Sequence, residues 1–471
     1  MIEGFRTIRE ELAVPASFPS EVEDEAARAA SSGPQHVDGT AGAPRDARDL
    51  PLVTIDPPGS TDLDQAFAAE TTPRGFRIHY AIADVAALVA PGGAIDAEAR
   101  RRGLTLYSPD LRTSLHPVSI NEGAGSLLEG QDRQALLWTI DLDDDGEIAA
   151  AHCERATVRS RARLSYRQAQ TLIDSHQAEP SLALLRPIGG RRKDLERERG
   201  AVSLALPAQE VVAGPDGAFA LEYDQTLPVE EWNAQVSLLT GIAASRIMLD
   251  AGVGILRTLP PPDDRTIRRL RRTARALGVG WDDSASYADR VRGLHPTSSR
   301  EAAFLSQAAR ALRGAGYAAF HGHDLPAEPG HSAIASTYAH VTAPLRRLCD
   351  RFGNEVVIAA CADRSPPSWA VEALDELPRQ MGAAAQKDRA LETAMVDFVE
   401  AVVLEPHVGE RFAATVTDID DERGRARVQL TEPAVVAHVP SEGLELGMAV
   451  QVRLDGTDPT ARSVRFSAIS E

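Results

Sequence analysis

Apolar residues recur at helical spacing near the N-terminus, where Phe5, Ile8 and Leu12 line one face of a short amphipathic helix within residues 1–20. Residues 21–48 are rich in Ala, Gly, Ser and Asp with little periodicity, so a mobile linker is expected there. The period then drops to two. LPLVTID (50–56) predicts a strand closed by the turn-forming Pro57-Pro58-Gly59-Ser60. FRIHYAIADVAALV (76–89) alternates and then runs apolar, as a central strand leading into a helix or turn does. LLWTIDL and EIAAAHCERATV flank Asp143-Asp144-Asp145-Gly146 and predict a β-hairpin.

From 228 to 400 the pattern is mainly helical, most clearly in PVEEWNAQVSLLTGIAASRIML. One long helix is expected from about 370 to 402, stopping before Pro406. The tail changes character. ERFAATVTDID, RARVQLTE, VVAHVPSE, MAVQVRLDGTD and RSVRFSAI are five short alternating segments split by turns. They predict a small OB-type barrel, a fold widely used on single-stranded nucleic acid. No internal repeat interrupts this order. The expected class is α+β, divided into a helix and linker at 1–48, a large domain at 49–404 and the barrel at 405–471.

Composition narrows the picture. With 43% apolar and 25% charged residues among 471, the chain reads as an ordinary globular protein larger than one domain. Its net charge of −19, from 50 basic and 69 acidic residues, excludes a protein that coats nucleic acid non-specifically. It leaves room for a local basic channel, because the distribution of charge matters more than its total. No apolar run approaches the ~20 residues of a bilayer span, so no membrane association is expected. MIEGFRTIREEL lacks the layout of a secretory signal. Cys153, Cys349 and Cys361 are odd in number and lack metal-ligand spacing, which fits free thiols in a reducing compartment. A cytoplasmic monomer is expected.

The most informative stretch is Thr54-Ile55-Asp56-Pro57-Pro58-Gly59-Ser60-Thr61-Asp62-Leu63-Asp64-Gln65. Asp56 closes an apolar strand and the turn folds the chain back. Asp62 and Asp64 stand two apart and point to one face of an extended backbone. Three carboxylates converging there make a hard-oxygen site suited to Mg²⁺ or Mn²⁺. Such an ion lowers the pKa of a bound water and neutralises phosphate charge. A solvated acidic turn has the same composition.

The segment resembles the acidic signature of the ribonuclease II and ribonuclease R (RNB) family, T-I-D-x-x-x-x-x-D-x-D-D. Further stretches resemble that family in the same order. They are Ala83-Asp84-Val85, Ile95-Asp96, Tyr107-Ser108-Pro109, Ser126-Leu127-Leu128 with Asp132-Arg133, Glu230-Glu231, and Tyr338-Ala339-His340-Val341-Thr342-Ala343-Pro344-Leu345-Arg346-Arg347. The resemblance covers about 350 residues and implies an RNB-type catalytic domain before the barrel. It implies a processive 3′→5′ exoribonuclease that hydrolyses single-stranded RNA to nucleoside 5′-monophosphates at a magnesium site. By that resemblance Asp56, Asp62 and Asp64 hold the metal, and Arg346 contacts the scissile phosphate. Tyr107 stacks on the terminal base, while Arg347 and Glu392 lie along the RNA.

Several positions depart from the family pattern. Gln65 stands at the fourth acidic position, which implies weaker metal binding and slower hydrolysis, or an impaired protein that only holds RNA. Glutamine's carbonyl oxygen is still a possible ligand atom. AVSLAL (201–206) offers Leu204 or Leu206 where an aromatic is usual. The two N-terminal cold-shock-type domains are replaced by residues 1–48, and Asn354-Glu355-Val356 replaces Asn-His-Arg.

Other candidates read as structural. Asp141 to Gly146 mimics the start of a calcium loop, but His152 stands where its bidentate glutamate belongs, so a hairpin turn is expected. His321, His323 and His331 fit no common zinc spacing. Arg268–Arg272 is expected on a solvated helix face, and Trp138 and Trp232 in the core.

Overall fold

The computed structural model describes residues 1–33, 43–202, 209–213, 219–223, 226–282, 284–294, 299–312, 314–322, 325–420, 422–430 and 432–469. Leu204, Leu206 and His323 lie outside them. Nine strands precede residue 166: β1 (Arg45–Asp46), β2 (Val53–Asp56), β3 (Gln65–Thr72), β4 (Gly75–Ala83), β5 (Leu106–Tyr107), β6 (Arg112–Thr113), β7 (Asp132–Leu142), β8 (Ile148–Arg159) and β9 (Ala162–Ser165). Seven form one sheet in the order β1-β8-β7-β4-β3-β2-β9, and β5 and β6 form a separate hairpin. The outer pairs β1–β8 and β2–β9 are parallel, and the interior pairs are antiparallel.

Period-two alternation assigns the two faces of this sheet. Phe67, Ile78, Tyr80, Ile82, Leu136, Trp138 and Ile140 join one core with the helices Pro228–Ala251 and Leu348–Cys361. Ala66, Ala68, Ala81, Ala135 and Leu137 face the other way into a smaller core with Leu52, Leu63 and Leu127. Large side chains take the helix-covered face, and small ones let the acidic loop lie close over the other. The hairpin predicted around Asp143 to Gly146 is present, its strands spanning 132–142 and 148–159: Asp143 Oδ1 accepts from the Asp145 and Glu147 amides, and Gly146 turns at φ 89°. Trp138 is fully buried, and Trp232 packs partly buried against the same core. Arg268, Arg269 and Arg272 are exposed on the helix Asp264–Ala276, as expected.

Two expectations are corrected. Residues 21–32 are not linker: α1 (Ile2–Glu11) is followed by α2 (Ser20–Ser32). Glu- and Ala-rich composition favours helix. Val22 and Ala26, four apart, bury in a core with Leu88, Ile95 and Ile120. Glu25 accepts from the Ala94 and Ile95 amides, satisfying the first turn of α3 (Ala94–Arg102). Past residue 42, β1 then pairs with Ala156 and Thr157 of β8. The expected 370–402 helix is also two helices, Ser368–Leu374 and Leu377–Leu404. Pro378 lacks the N–H an interior turn needs and instead occupies the first turn of a new helix.

The tail forms the expected five strands, ordered 436–440, 425–430, 411–420, 449–458 and 463–468 in a nearly closed barrel. Its interior residues Val416, Val428, Val452 and Leu454 share a core with Leu391, Met395 and Val399 of the 377–404 helix and with Phe5 and Ile8 of α1. The N-terminal helix thus wedges between the barrel and the larger domain. No helix among the described residues is long and apolar enough to cross a membrane.

Candidate active site

Strand β2 ends on Asp56, and Gly59, at φ 84°, supplies the left-handed residue of the turn. The loop beyond it is fastened to residues 119–127. Ser126 Oγ donates to the Thr61 carbonyl at 2.7 Å and accepts from the Leu63 amide at 2.9 Å. The Leu127 amide donates to the Leu63 carbonyl at 3.0 Å, and Thr61 Oγ1 donates to Glu122 at 2.6 Å. With Leu63 fully buried on one side, Asp62 and Asp64 turn to the other.

Asp64 is 3% exposed. One of its oxygens accepts from the Leu345 amide at 2.8 Å, and the other lies 3.3 Å from Arg346 Nε. Burial raises Asp64 to about 7 against the pull of Arg346 and that amide. Burial also raises Asp56 to about 6, where Arg346 opposes the shift and the nearby Asp62 charge adds to it. The three aspartates and Arg346 therefore form one electrostatic group.

Arg346 is aimed by a stretch fixed at almost every residue. The Ala339 amide donates to the Gly241 carbonyl at 3.0 Å. A Cβ on Gly241 would lie 2.1 Å from the Tyr338 ring, so only glycine permits this approach. His340 Nδ1 pairs with the Tyr317 hydroxyl at 2.8 Å, Asn354 Nδ2 donates to the Val341 carbonyl at 2.9 Å, and the Ala343 amide donates to Asp350 at 2.7 Å. The Thr105 amide donates to the Arg346 carbonyl at 3.0 Å, which ties this stretch to β5. Tyr107 follows at the end of β5, 51% exposed, with Arg346, Asp62, Asp64 and Arg112 as charge neighbours. A large exposed ring beside a guanidinium and buried acids is an available stacking surface.

Other expected residues are placed differently. Arg347 turns inward, donating from Nε and Nη2 to the fully buried Asp350 at 3.0 and 2.9 Å. A buried carboxylate without a partner is costly, so Arg347 is committed to it. Glu392 is exposed on the 377–404 helix, with Asp388 as a charge neighbour. Gln65 is held at both ends of its amide: Nε2 donates to the Thr342 carbonyl at 2.7 Å, and Oε1 accepts from the Tyr80 hydroxyl at 2.5 Å and from Ser237 Oγ at 3.3 Å. Its carbonyl oxygen is thereby engaged by the Tyr80 hydroxyl, which itself has Asp56 and Arg346 as charge neighbours. Glu355 pairs with Arg155, which also holds Asp84, so this substitution completes a buried ion triad.

Sequence reasoning missed Arg112, which pairs with Tyr107 across the β5–β6 hairpin. Its guanidinium donates to Asp62, to Glu122 and to Thr61 Oγ1, the last at 3.1 Å. The available signal was the short hairpin around Ser108 to Leu111, which returns Arg112 beside Tyr107.

The donor set fits a hard divalent ion. Asp56 and Asp64 are carboxylates whose charge is disfavoured by burial and only partly offset by Arg346, and a bound cation reverses that penalty. Among the described residues, the group whose ligand atoms all lie within 4.8 Å is His340, Cys349 and Asp350. That group is closed, because Arg347 fills Asp350, Tyr317 takes His340, and burial keeps the Cys349 thiol protonated. His321 pairs with Asp375 at 3.0 Å, whereas His331 stacks edge-on to Tyr338, so they do not converge on a metal.

Comparison with known proteins gives two family matches. Residues 44–361 match the RNB domain, and residues 410–469 match the RNase II-type exonuclease C-terminal S1 domain. Over 332 residues the chain is 30% identical to the exosome complex exonuclease RRP44 homolog A of Arabidopsis thaliana, covering 67% of this chain and 35% of that protein. It is also 30% identical over 359 residues to the inactive exonuclease DIS3L2 of the same plant, covering 67% and 33% respectively. The chain thus spans about a third of the length of these relatives. The fold is similar to that of Mycoplasma genitalium RNase R in complex with ribose-methylated single-stranded RNA. That match has a TM-score of 0.87 and 18% identity, covering 99% of this chain and 78% of that one.

Proposed function

The chain belongs to the RNB family, and on that premise we propose that it is a metal-dependent 3′→5′ exoribonuclease releasing nucleoside 5′-monophosphates from single-stranded RNA. The observation that carries this reading is the pairing of buried Asp64 with Arg346, whose side chain remains 48% exposed beside the open Tyr107 ring. A guanidinium held by a carboxylate yet open to solvent can contact a phosphate without first being reoriented. Tyr107 gives the terminal base a stacking face.

The hard oxygens for a divalent ion, Mg²⁺ or Mn²⁺, come from the acidic loop. When bound, that ion supplies a nucleophilic water at neutral pH and neutralises phosphate charge. Asp64 keeps Arg346 in position, and Arg346 meets the charge that develops on the phosphate oxygens. The fastened loop between Asp56 and Asp64 holds these groups at fixed separations, which suits a step governed by positioning.

A second reading, an RNA-holding protein without turnover, draws on Gln65, whose amide is spent on Thr342, Tyr80 and Ser237. Single-stranded RNA labelled at either end and incubated with magnesium, manganese or chelator separates the two. The nuclease reading expects stepwise shortening from the 3′ end and release of mononucleotides only with metal. Tight binding without mononucleotides in either metal overturns it.

A further inference from the structure

We propose that the arginine face of the helix Asp264–Ala276 is a docking surface for the phosphate backbone of single-stranded RNA, separate from the acidic loop. The inference rests on the proposed function only in taking single-stranded RNA as the substrate.

Its basis is the sorting of residues around this helix. Arg265, Arg268, Arg269, Arg272 and Arg275 are all exposed. At 3.6 residues per turn they fall within about a third of the circumference and run along about 15 Å of the axis. Leu270, Ala274 and Leu277 take the opposite side, buried with Phe304. The sixth arginine, Arg271, is used elsewhere: its guanidinium lies 4.7 Å from the Trp281 ring centre and donates to the Ala285 carbonyl at 3.3 Å. Among the described residues, none of the five shares a hydrogen bond or ion pair with an acidic side chain. Asp263 is the acid whose charge Arg265 and Arg268 meet, and its carboxylate caps the Thr266 amide at 2.7 Å. Arginines three and four apart repel one another, and the helix has no acid past its first turn to offset them. A polyanion laid along the face removes that repulsion.

The choice of partner follows from chemistry. Guanidinium forks bind phosphate oxygens in pairs, and on a chain of net charge −19 this face concentrates positive charge. A membrane surface fits less well, because the apolar side of the helix is already buried and has nothing to insert into lipid. The helices Asp264–Ala276, Tyr287–Arg292 and Ser299–Ala311 share one core, and the last of them packs on the barrel. Gln307 donates to the Thr417 carbonyl at 3.2 Å, and Arg310 pairs with Asp418. Beside Asp418 and Asp420, Arg310 lines a cavity of about 440 Å³ with Arg423, Arg425, Arg427 and His438. The arginine face and the basic strand of the barrel thus belong to one packed unit. None of the five arginines is among the charges acting on Asp56, Asp64 or Tyr107, so the face holds RNA away from the reacting end.

The test is the RNA affinity of the full chain in chelator, read by fluorescence anisotropy over a series of salt concentrations. For Arg268→Gln with Arg272→Gln, the slope of log affinity against log salt is expected to flatten by about 1.4, since each phosphate contact on a single strand contributes about 0.7. Affinity for a long strand is expected to fall at least about tenfold at low salt, and less for an oligonucleotide of a few nucleotides. Arg268→Lys with Arg272→Lys keeps the charge and is expected to retain the wild-type slope. The melting temperature of the glutamine pair is expected to hold or rise as like charges leave the helix, which separates lost binding from misfolding. A wild-type slope in the glutamine pair, an equal loss in the lysine pair, or an equal loss for short and long strands overturns the inference. So does binding to phosphatidylserine vesicles that the glutamine pair loses while its RNA affinity is unchanged. Strand shortening by the wild type alongside any of these leaves the nuclease reading standing. The expected slopes without mononucleotide release in magnesium or manganese overturn that reading and not this one.

Discussion

Asp64 touches both the Arg346 guanidinium, 3.3 Å from its Nε, and the Leu345 backbone amide, 2.8 Å away. One carboxylate therefore fixes the arginine and the chain that carries it. Asp64→Asn keeps an acceptor for the amide but removes the charge that holds Arg346 and a divalent ion. Mononucleotide release is expected to fall by at least ~100-fold, the scale seen when one preorganised electrostatic group is lost. RNA affinity, read by fluorescence anisotropy in chelator, is expected to hold or rise because a negative charge has gone. Turnover within tenfold of wild type would remove Asp64 from the site.

Burial at this site makes the ion-free protein sensitive to pH. Asp56 and Asp64 titrate at about 6 and about 7 when folded, against 3.8 for an ordinary aspartate. Between about pH 4 and pH 7 the folded chain therefore binds more protons than the unfolded one, so stability falls as pH rises through that window. Glu355, raised to about 7 by burial, adds the same sign, while His116, lowered to about 3 by burial, adds the opposite one below pH 6.5. The useful readout is the melting temperature of Asp64→Asn minus that of wild type in chelator. That difference is expected to grow from pH 5 to pH 7.5 and to shrink when Mn²⁺ is added. A flat difference rejects the raised carboxylate.

Gln65→Asp tests how far a linear motif can be read. By resemblance, an aspartate at this position completes the acidic signature and a glutamine weakens it. In the fold, Gln65 Nε2 donates to the Thr342 carbonyl, which an aspartate cannot do. The replacement is expected to cost about 1–3 kcal/mol through an unsatisfied carbonyl and a carboxylate set against it. No gain in turnover is expected, because the side chain at position 65 is set among Thr342, Tyr80 and Ser237. Chemical denaturation and the RNA shortening assay read both outcomes, and a faster, equally stable variant contradicts this account.

The same contrast explains what was legible beforehand. Period-two alternation located β4, the hairpin around Asp143 to Gly146 and the five barrel strands, because each has one face in a core. Asp62 and Asp64 were readable as neighbours for the same reason. The partners of Gln65 and Asp62 were not readable, since Thr342 and Arg112 reach them across the fold, whereas Arg347 and Asp350 stand three residues apart, a spacing the sequence does display. Helix α2 escaped notice because only Val22 and Ala26 mark its buried face, and alanine carries little hydropathic signal.

On the proposed function, Tyr107 and its hairpin partner Arg112 are expected to make separable contributions to holding RNA. Tyr107→Ala removes the stacking face, worth about 1–3 kcal/mol per base, so KM for short oligonucleotides is expected to rise between about 5- and 100-fold. Tyr107→Phe keeps the ring and is expected to stay near wild type. Steady-state kinetics on a labelled oligonucleotide distinguishes them. Equal losses in both variants assign the effect to the hydroxyl, not to stacking.

The N-terminal helix α1 reaches this same hairpin. Arg9 donates to Asp110 at 2.5 and 3.0 Å, and Asp110 lies in the turn between Tyr107 and Arg112. On its other faces, fully buried Phe5 meets Phe398 and Phe219 edge to face, and Glu11 pairs with Arg462 of the barrel. Gly4 lies so close to the Phe398 ring that an added Cβ would sit 2.1 Å from it. Phe5→Ala is expected to cost about 3–5 kcal/mol where the helix seats. Arg9→Ala leaves the Phe5 seat intact and removes the ion pair that holds the turn carrying Tyr107. For Arg9→Ala, which leaves the nearly buried Asp110 without its partner, the melting temperature is expected to fall less than for Phe5→Ala while KM for RNA rises more than kcat falls. Phe5→Ala is expected to move both. Matching kinetic losses in the two variants, without a difference in melting, would mean that α1 supports the fold as a whole and does not steady the Tyr107 turn.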